Sequence, residues 1–287
     1  MSHQKKINIS DVIAEKSPKL FKIIPGFLME KFKSFIHQKE INLILDKLEN
    51  KEKLEFIKGG LDELGVSSKN LGFNKLPKKS GVIIVANHPL GGLDGLSLIN
   101  EIGKHRTDIK FLVNDVLSQI KPFKPYFIPI NKHGLNSREN IIRLEKLFQS
   151  NQCIVIFPSG LVSRKNKRIV EDLEWRKTFV TKAKKYNKPI YPVYISGENS
   201  RKFYQIAKWR KILRLKINIE MFFLVDEMFK QKGGTIEIAM GNSIDSSSLN
   251  SAKSDFEWAQ LIKKYTYELK NNVNFVFKEL IKNEKDY

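Results

Sequence analysis

The chain has 287 residues, 41% of them hydrophobic, and its 51 Lys and Arg residues against 31 Asp and Glu residues give a net charge of +20. This length and composition allow one main domain with a substantial core and a smaller extension. The single cysteine excludes an intramolecular disulfide, and no apolar run reaches the roughly 18 residues that a membrane-spanning helix needs. The polar N-terminus does not resemble a signal peptide.

The positive charge predicts an anionic partner: nucleic acid, an anionic membrane surface or an acidic carrier protein. The basic residues are spread along the chain, without a zinc-finger spacing, an aromatic RNA-binding block or a dense basic tail. A basic nucleic-acid- or membrane-binding protein without enzymatic activity is therefore kept as the non-enzyme alternative.

Residues 8 to 65 carry a helical pattern. Leu, Ile and Phe recur at three- and four-residue spacing, with lysines between them from Lys19 to Phe35. Pro25-Gly26 interrupts the pattern and predicts two short helices. This basic amphipathic stretch can lie among lipid headgroups or simply cover the rest of the protein, and the sequence leaves both open. We assign residues 1–70 to this N-terminal helical extension.

From residue 81 onward, apolar strands alternate with helical stretches, which predicts an α/β fold in a domain spanning residues 71–287. We expect a mixed sheet flanked by helices. The predicted strands are 81–86, 109–113, 126–130, 153–157, 190–195 and 235–240. The predicted helices are 95–104, 136–150, 172–186 and 254–281, the last one capped at Ser254 and Glu257.

The strand at 82–86 ends in a motif typical of an active site, Asn87-His88-Pro89-Leu90-Gly91-Gly92-Leu93-Asp94. Residues that follow a buried strand lie at the carboxyl edge of the sheet, where ligands usually bind. The glycines let the chain turn back, so that Asp94 can meet the imidazole of His88 and fix its tautomer. The pair predicts a general base, and the alternative is an ordinary loop hydrogen bond.

Four blocks in sequence order resemble the glycerolipid acyltransferases, the superfamily of glycerol-3-phosphate and lysophosphatidate acyltransferases. The Asn87–Asp94 block is similar to their His-to-Asp signature. Phe127–Lys132 lies where the second block is found, Ile156–Gly160 is similar to the Phe-Pro-Glu-Gly block, and Pro189–Ile195 is similar to the final proline-containing strand. The residue patterns of the first and third blocks resemble those of the bacterial hemolysin-like branch, which includes acyltransferases that make ornithine and glycine lipids.

The resemblance implies roles for particular residues. His88 and Asp94 would be catalytic, with the backbone N–H groups of Gly91 and Gly92, or those near Ser159, as oxyanion candidates. Arg164 together with Lys132 is the candidate anchor for an anionic group of the acceptor, since guanidinium binds carboxylate or phosphate bidentately. The substrate-binding candidates taken together are Asn131, Lys132, Ser159, Gly160, Ser163 and Arg164.

Two departures from the family pattern bear on the substrate. Five residues separate His88 from Asp94 where the superfamily usually has four, and Ser159 stands where the third block usually has Glu. In members that accept phosphate, that block helps to hold glycerol phosphate. The loss of its carboxylate therefore indicates a different acceptor or a rearranged pocket.

We expect an O-acyltransferase that moves a fatty acyl group from acyl carrier protein or coenzyme A to the hydroxyl of a lyso-lipid, in particular a lyso-amino-acid lipid. The alternative acceptors are glycerol 3-phosphate and 1-acylglycerol 3-phosphate. A serine hydrolase is disfavoured because Phe-Pro-Ser-Gly lacks the nucleophile-elbow pattern. The expected location is peripheral, on the cytoplasmic face of the inner membrane.

No cofactor or metal is expected, because the five histidines never pair at helical spacing and the single cysteine offers no zinc set. Cys153 opens an apolar strand and is expected to be packed in the core, as is Trp175.

Overall fold

The protein is described by a computed structural model, which covers residues 6–16, 18–114, 123–130, 138–214 and 219–283. The chain forms two compact units. The first consists of Met1–Val66 and Asn199–Gly234, and the second of Ser67–Glu198 and Thr235–Tyr287. The units differ from the domains drawn on the sequence, because residues 199–234 group with the N-terminal helices and residues 67–71 form a strand of the sheet.

The second unit is built on a sheet whose described strands are β1 Ser67–Leu71, β2 Val82–Ala86, β3 Ile109–Asn114, β4 Phe127–Ile130, β5 Cys153–Ile156, β8 Ile190–Ile195 and β9 Thr235–Met240. Their order across the sheet is β1-β9-β8-β2-β5-β3-β4. Neighbouring strands run parallel, except that β8 and β9 are antiparallel. A separate hairpin joins β6 Arg164–Asn166 to β7 Ile169–Glu171.

Helices lie in both units. Those of the first unit are α1 Ile9–Lys16, α2 Pro18–Ile23, α3 Gly26–Phe35, α4 Gln38–Lys47, α5 Lys53–Glu63, α9 Arg201–Ile212 and α10 Leu224–Lys230. Those of the second unit are α6 Gly92–Gly103, α7 Arg138–Gln149, α8 Thr178–Tyr186, α11 Asp255–Glu268 and α12 Phe277–Asn283. Within the described residues, every helix is too short or too polar to cross a membrane.

The core of the second unit lies where α8, α11 and α12 pack on one face of the sheet. Every residue of β2 is buried, as expected for a parallel strand covered on both faces. Trp175 and Phe179 meet edge to face near the start of α8, and Tyr265 of α11 packs on Phe277. This packing fixes β2, the strand that leads into the His88 motif.

The predicted mixed sheet flanked by helices is confirmed. All six predicted strands are present, and Pro25-Gly26 separates α2 from α3 as expected. The predicted helix 254–281 has the expected Ser254–Glu257 capping box but is interrupted between α11 and α12. The predicted helix 172–186 begins only at Thr178, because residues 172–175 make tertiary hydrogen bonds. Strand β1 and helices α9 and α10 were not predicted.

Cys153 is packed in the sheet, as expected: it is fully buried at the start of β5, and burial raises the pKa of its thiol to about 12. A thiol reagent reacts with thiolate, so we expect native protein at pH 8 to react at least about a hundredfold more slowly than protein in guanidinium. Ellman's reagent measures both rates, and Cys153→Ala supplies the blank. Rapid stoichiometric labelling of the native protein would contradict this packing.

Candidate active site

His88 lies immediately beyond the carboxyl end of β2, at the edge of the sheet. The preceding residue, Asn87, is buried and clamps this strand end to β8. Its side-chain amide donates to the carbonyl of Ile195 at 2.8 Å and accepts from the N–H of Ile195 at 2.7 Å. These two bonds extend the hydrogen-bond ladder between β2 and β8 by one residue, through a side chain instead of the backbone. The backbone that carries His88 is therefore fixed to the centre of the sheet.

Asp94 lies in the first turn of α6, and its carboxylate turns back toward His88. Its Oδ2 is 2.8 Å from Nδ1 of His88 and also accepts the backbone N–H groups of Leu90 and Gly91, each at 2.9 Å. Gly91 has φ +76°, a conformation that glycine adopts without strain. This turn accommodates the five-residue spacing and brings the two side chains into contact.

The carboxylate of Asp94 is completely buried. Burial raises its pKa, and the hydrogen bonds from His88, Leu90 and Gly91 oppose that rise because they stabilise the charged form. A carboxylate at Nδ1 favours the tautomer with hydrogen on Nδ1, so that Nε2 is left with a lone pair. The His88 side chain is 18% exposed and its ring stacks on Phe157 with centroids 4.1 Å apart. The pair has the geometry of a general base held by a carboxylate.

A second buried carboxylate, Asp172, holds the backbone of His88. Its Oδ1 accepts the N–H of His88 at 3.1 Å and the hydroxyl of Ser163 at 2.6 Å, and its Oδ2 accepts the indole N–H of Trp175 at 2.9 Å. The N–H of Ser163 in turn donates to the carbonyl of His88 at 2.8 Å. Burial raises the pKa of Asp172, and these donors oppose the rise.

Asp172 was not among the residues predicted from the sequence, because residue 172 was expected to begin a helix. The residue instead follows the β6–β7 hairpin, and its own N–H donates to the hydroxyl of Tyr267 on α11 at 2.7 Å. A local signal was present in the sequence. An Asp three residues before a Trp, next to a hairpin, suits a carboxylate that accepts an indole N–H.

The structure separates the other candidate residues into distinct environments. Ser163 is buried, and its hydroxyl is used within the protein to hold Asp172. Ser159 is also buried and donates to the carbonyl of Leu161, while Gly160 adopts φ +65° in the turn after β5. Arg164 is partly buried at the start of β6 and donates to the carbonyl of Val162 at 2.6 Å. Asn131 and Lys132 lie outside the described residues.

The two oxyanion candidates also differ. The N–H of Gly91 is already donated to Asp94, so it supports the carboxylate in this conformation. Gly92 is exposed at the first residue of α6, where backbone N–H groups point out of the helix end. Gly92 is therefore the better placed of the two to meet a developing negative charge.

An open groove of about 850 Å³ borders Ser159. Leu161 and Phe256 contribute apolar surface to its lining, and Arg176 and Lys177 contribute positive charge. Within the described residues, no group of three His, Cys, Asp or Glu side chains is arranged to hold a metal ion.

The comparisons with known proteins identify the family. Residues 11–275 match a family model described as acyltransferase, and the chain belongs to that family. It is 35% identical to a lyso-glycine lipid O-acyltransferase of Bacteroides thetaiotaomicron, with 92% of this chain and 97% of that protein covered. It is 36% identical to a protein of the same name from Phocaeicola vulgatus, covering 92% of this chain and 95% of the relative.

Among solved structures, the chain is similar to a 1-acyl-sn-glycerophosphate acyltransferase of Thermotoga maritima. The two are 18% identical with a TM-score of 0.48, and the match covers 91% of this chain and 93% of that chain. The predicted membership of the glycerolipid acyltransferases is confirmed by the family and the relatives, and the protein is an enzyme.

Replacing the base should abolish most of the activity without unfolding the protein. We expect His88→Ala to lower the rate of acyl transfer by about a hundredfold or more, and Asp94→Asn to lower it less, because Asp94 only orients and stabilises the imidazole. Purified variants whose circular dichroism matches the wild type give this comparison. His105→Ala, at an exposed histidine, is the control and should retain full activity. More than about a tenth of the wild-type rate in His88→Ala would exclude the base assignment.

Asp172 is expected to act through His88. Asp172→Asn keeps the oxygen that meets the N–H of His88 but puts an amide against the indole N–H of Trp175, so we expect kcat to fall about tenfold with KM nearly unchanged. Trp175→Phe removes the indole donor alone and should lower the unfolding temperature while leaving kcat within about twofold. Equal losses of kcat in the two variants at equal stability would show that Asp172 stabilises the fold and does not position His88.

Proposed function

We propose that this enzyme acylates the free hydroxyl of a lyso-lipid and that the acceptor is lyso-glycine lipid. Two proteins that carry this name share about a third of their residues with nearly the whole chain. The observation that carries the chemistry is the contact between His88 Nδ1 and the buried carboxylate of Asp94. It gives the protein a candidate base inside the Asn87–Asp94 block, which resembles the His-to-Asp signature of the glycerolipid acyltransferases.

The mechanism needs no covalent enzyme intermediate. Nε2 of His88 takes the proton of the acceptor hydroxyl while the oxygen attacks the thioester carbonyl. The oxyanion that forms is stabilised by backbone N–H groups, with Gly92 as the candidate donor. As the tetrahedral intermediate collapses, the imidazolium returns a proton to the departing thiolate. Asp94 stabilises the imidazolium through its contact with Nδ1, and the products are the acylated lipid and the free thiol.

The donor is proposed to be a thioester of acyl carrier protein or coenzyme A, since an activated acyl group supplies the driving force for ester formation. Both carriers are anionic, and the net charge of +20 favours their approach. The same charge favours an anionic membrane, which holds the lipid acceptor. In α3, Phe27 and Leu28 are exposed and Lys31 lies beside them, so we propose that this helix contacts lipid headgroups.

At position 159 this chain has Ser where family members that accept a phosphate usually have Glu. Its hydroxyl is bound to the carbonyl of Leu161, and no carboxylate is present at this position to hold glycerol phosphate. Arg164 remains the candidate for the anion of the acceptor, which is a carboxylate in lyso-glycine lipid.

The choice of acceptor is tested by direct competition. We expect lyso-glycine lipid to be acylated with a higher kcat/KM than glycerol 3-phosphate or lysophosphatidate. Arg164→Ala should raise the KM for this acceptor about tenfold and leave the KM for the thioester within about twofold, because in this proposal the guanidinium binds the anion of the acceptor and does not bind the thioester. Lys165→Ala, at the exposed neighbour in the same hairpin, is the matched control.

Three results would contradict parts of this proposal. A clear preference for lysophosphatidate would exclude the amino-lipid acceptor and retain the acyltransferase. Hydrolysis of the thioester without use of any acceptor would identify a thioesterase. Equal effects of Arg164→Ala and Lys165→Ala would remove Arg164 from the acceptor site.

A further inference from the structure

The end of helix α9 presents an apolar stripe to solvent. Trp209, Ile212 and Leu213 are each more than half exposed. Their spacing of three and four residues places them on one side of the helix end. The basic residues Lys208, Lys211 and Arg214 flank the stripe and are exposed as well. We call these six residues the α9 surface.

Helix α9 is anchored from its opposite side, so the apolar stripe is not needed to hold it in place. Phe203, Tyr204 and Ala207 form its buried face. The hydroxyl of Ser200 caps the helix by accepting the N–H of Phe203 at 3.2 Å. Near the other end, Arg210 forms an ion pair with the fully buried Glu220 at 2.8 Å.

The first unit exposes further apolar residues on the segments that connect α9 with α3. Glu220, the partner of Arg210, belongs to a short turn of helix at Ile219–Phe223 that packs against α9. In that turn Met221 and Phe222 are exposed, and the ring of Phe222 meets Phe32 of α3 edge to face at 6.0 Å. Contacts inside one unit thus connect the α9 surface to the helix that carries Phe27 and Leu28.

The charged residues of α9 and of its two ends are all basic. Residues 199–214 contain six Lys and Arg residues and no Asp or Glu. A tryptophan and two aliphatic side chains, flanked by lysine and arginine, match the boundary between acyl chains and anionic headgroups. Nucleic acid would use the basic residues but would leave Ile212 and Leu213 without an apolar partner.

We propose that the α9 surface is a second membrane-docking element, which inserts Trp209, Ile212 and Leu213 below the headgroups of an anionic bilayer. The lysines and the arginine remain at headgroup level. The inference rests on the proposed function in one respect, because a lipid acceptor gives the enzyme a reason to dock on lipid. It adds to α3 an element whose role was not apparent from the sequence.

The apolar contribution is tested with the full-length protein and vesicles of equal parts phosphatidylglycerol and phosphatidylcholine. The variant Trp209→Ser/Ile212→Ser/Leu213→Ser should weaken binding about tenfold or more, because three side chains no longer enter the apolar layer. The control Leu43→Ser/Ile141→Ser/Ile142→Ser removes three exposed apolar residues elsewhere and should change binding less than about twofold. Phe27→Ser/Leu28→Ser measures the part due to α3.

The ionic contribution uses matched changes of charge. Lys208→Gln/Lys211→Gln/Arg214→Gln should lower binding and flatten its dependence on salt more than Lys58→Gln/Lys270→Gln/Lys278→Gln, which removes the same charge from other exposed positions. Equal effects of the two triple variants would show that only net charge matters and would overturn the local role of α9.

Trp209 also supplies a direct probe of insertion. The chain has three tryptophans, and the other two, Trp175 and Trp258, are buried. Vesicles should therefore shift the fluorescence to shorter wavelength and protect it from acrylamide, and Trp209→Phe should lose both changes. Unchanged quenching while the protein is vesicle-bound would overturn the proposal, as would RNA binding at physiological salt in place of vesicle binding.

Transfer to detergent-dispersed lyso-glycine lipid separates this inference from the proposed function. The α9 variants should keep wild-type rates in detergent and lose activity on vesicles alone. A wild-type protein that inserts Trp209 into vesicles but transfers no acyl group would retain the docking surface and exclude the acceptor. Full acyl transfer with no insertion of Trp209 would exclude the docking surface and retain the proposed acceptor.

Discussion

The site depends on one buried oxygen atom, Oδ2 of Asp94, which is the partner of His88 Nδ1 and two backbone N–H groups. A carboxylate enclosed at the start of a helix is costly unless donors surround it. Here the donors are the imidazole of His88 and the turn that connects it to α6. The same interaction therefore closes the turn, begins the helix and fixes the imidazole.

Three further groups hold the backbone on which that interaction depends. Asn87 attaches the end of β2 to β8, and Asp172 and Ser163 bind the N–H and the carbonyl of His88. All three side chains are buried, and the proposed mechanism does not require any of them to contact the substrate. They position His88 by its main chain, while Asp94 positions the same residue by its ring. Such support restricts the imidazole to one orientation before any substrate arrives.

The features that depend on local sequence patterns could be predicted from the sequence. The six predicted strands are rich in apolar residues, and the His-to-Asp motif is confined to eight residues, so these strands and the contact of His88 with Asp94 could be predicted from the sequence. Asp172 was missed because it bonds to His88 and Tyr267, which are distant in sequence, and because its segment has a helical pattern. Helix α9 was missed because its apolar residues lie on two sides, with Phe203 and Ala207 inside and Trp209 and Ile212 outside, so no single stripe marks it.

The contact with Asp94 favours the tautomer of His88 that has hydrogen on Nδ1 and a lone pair on Nε2. Nitrogen NMR of the folded protein, labelled in its histidines and assigned with His88→Gln, observes this tautomer directly. We expect the neutral imidazole of His88 to carry its hydrogen on Nδ1, and we expect Asp94→Asn to mix the two tautomers. A His88 signal with the proton on Nε2 in the wild-type protein would contradict the proposed base.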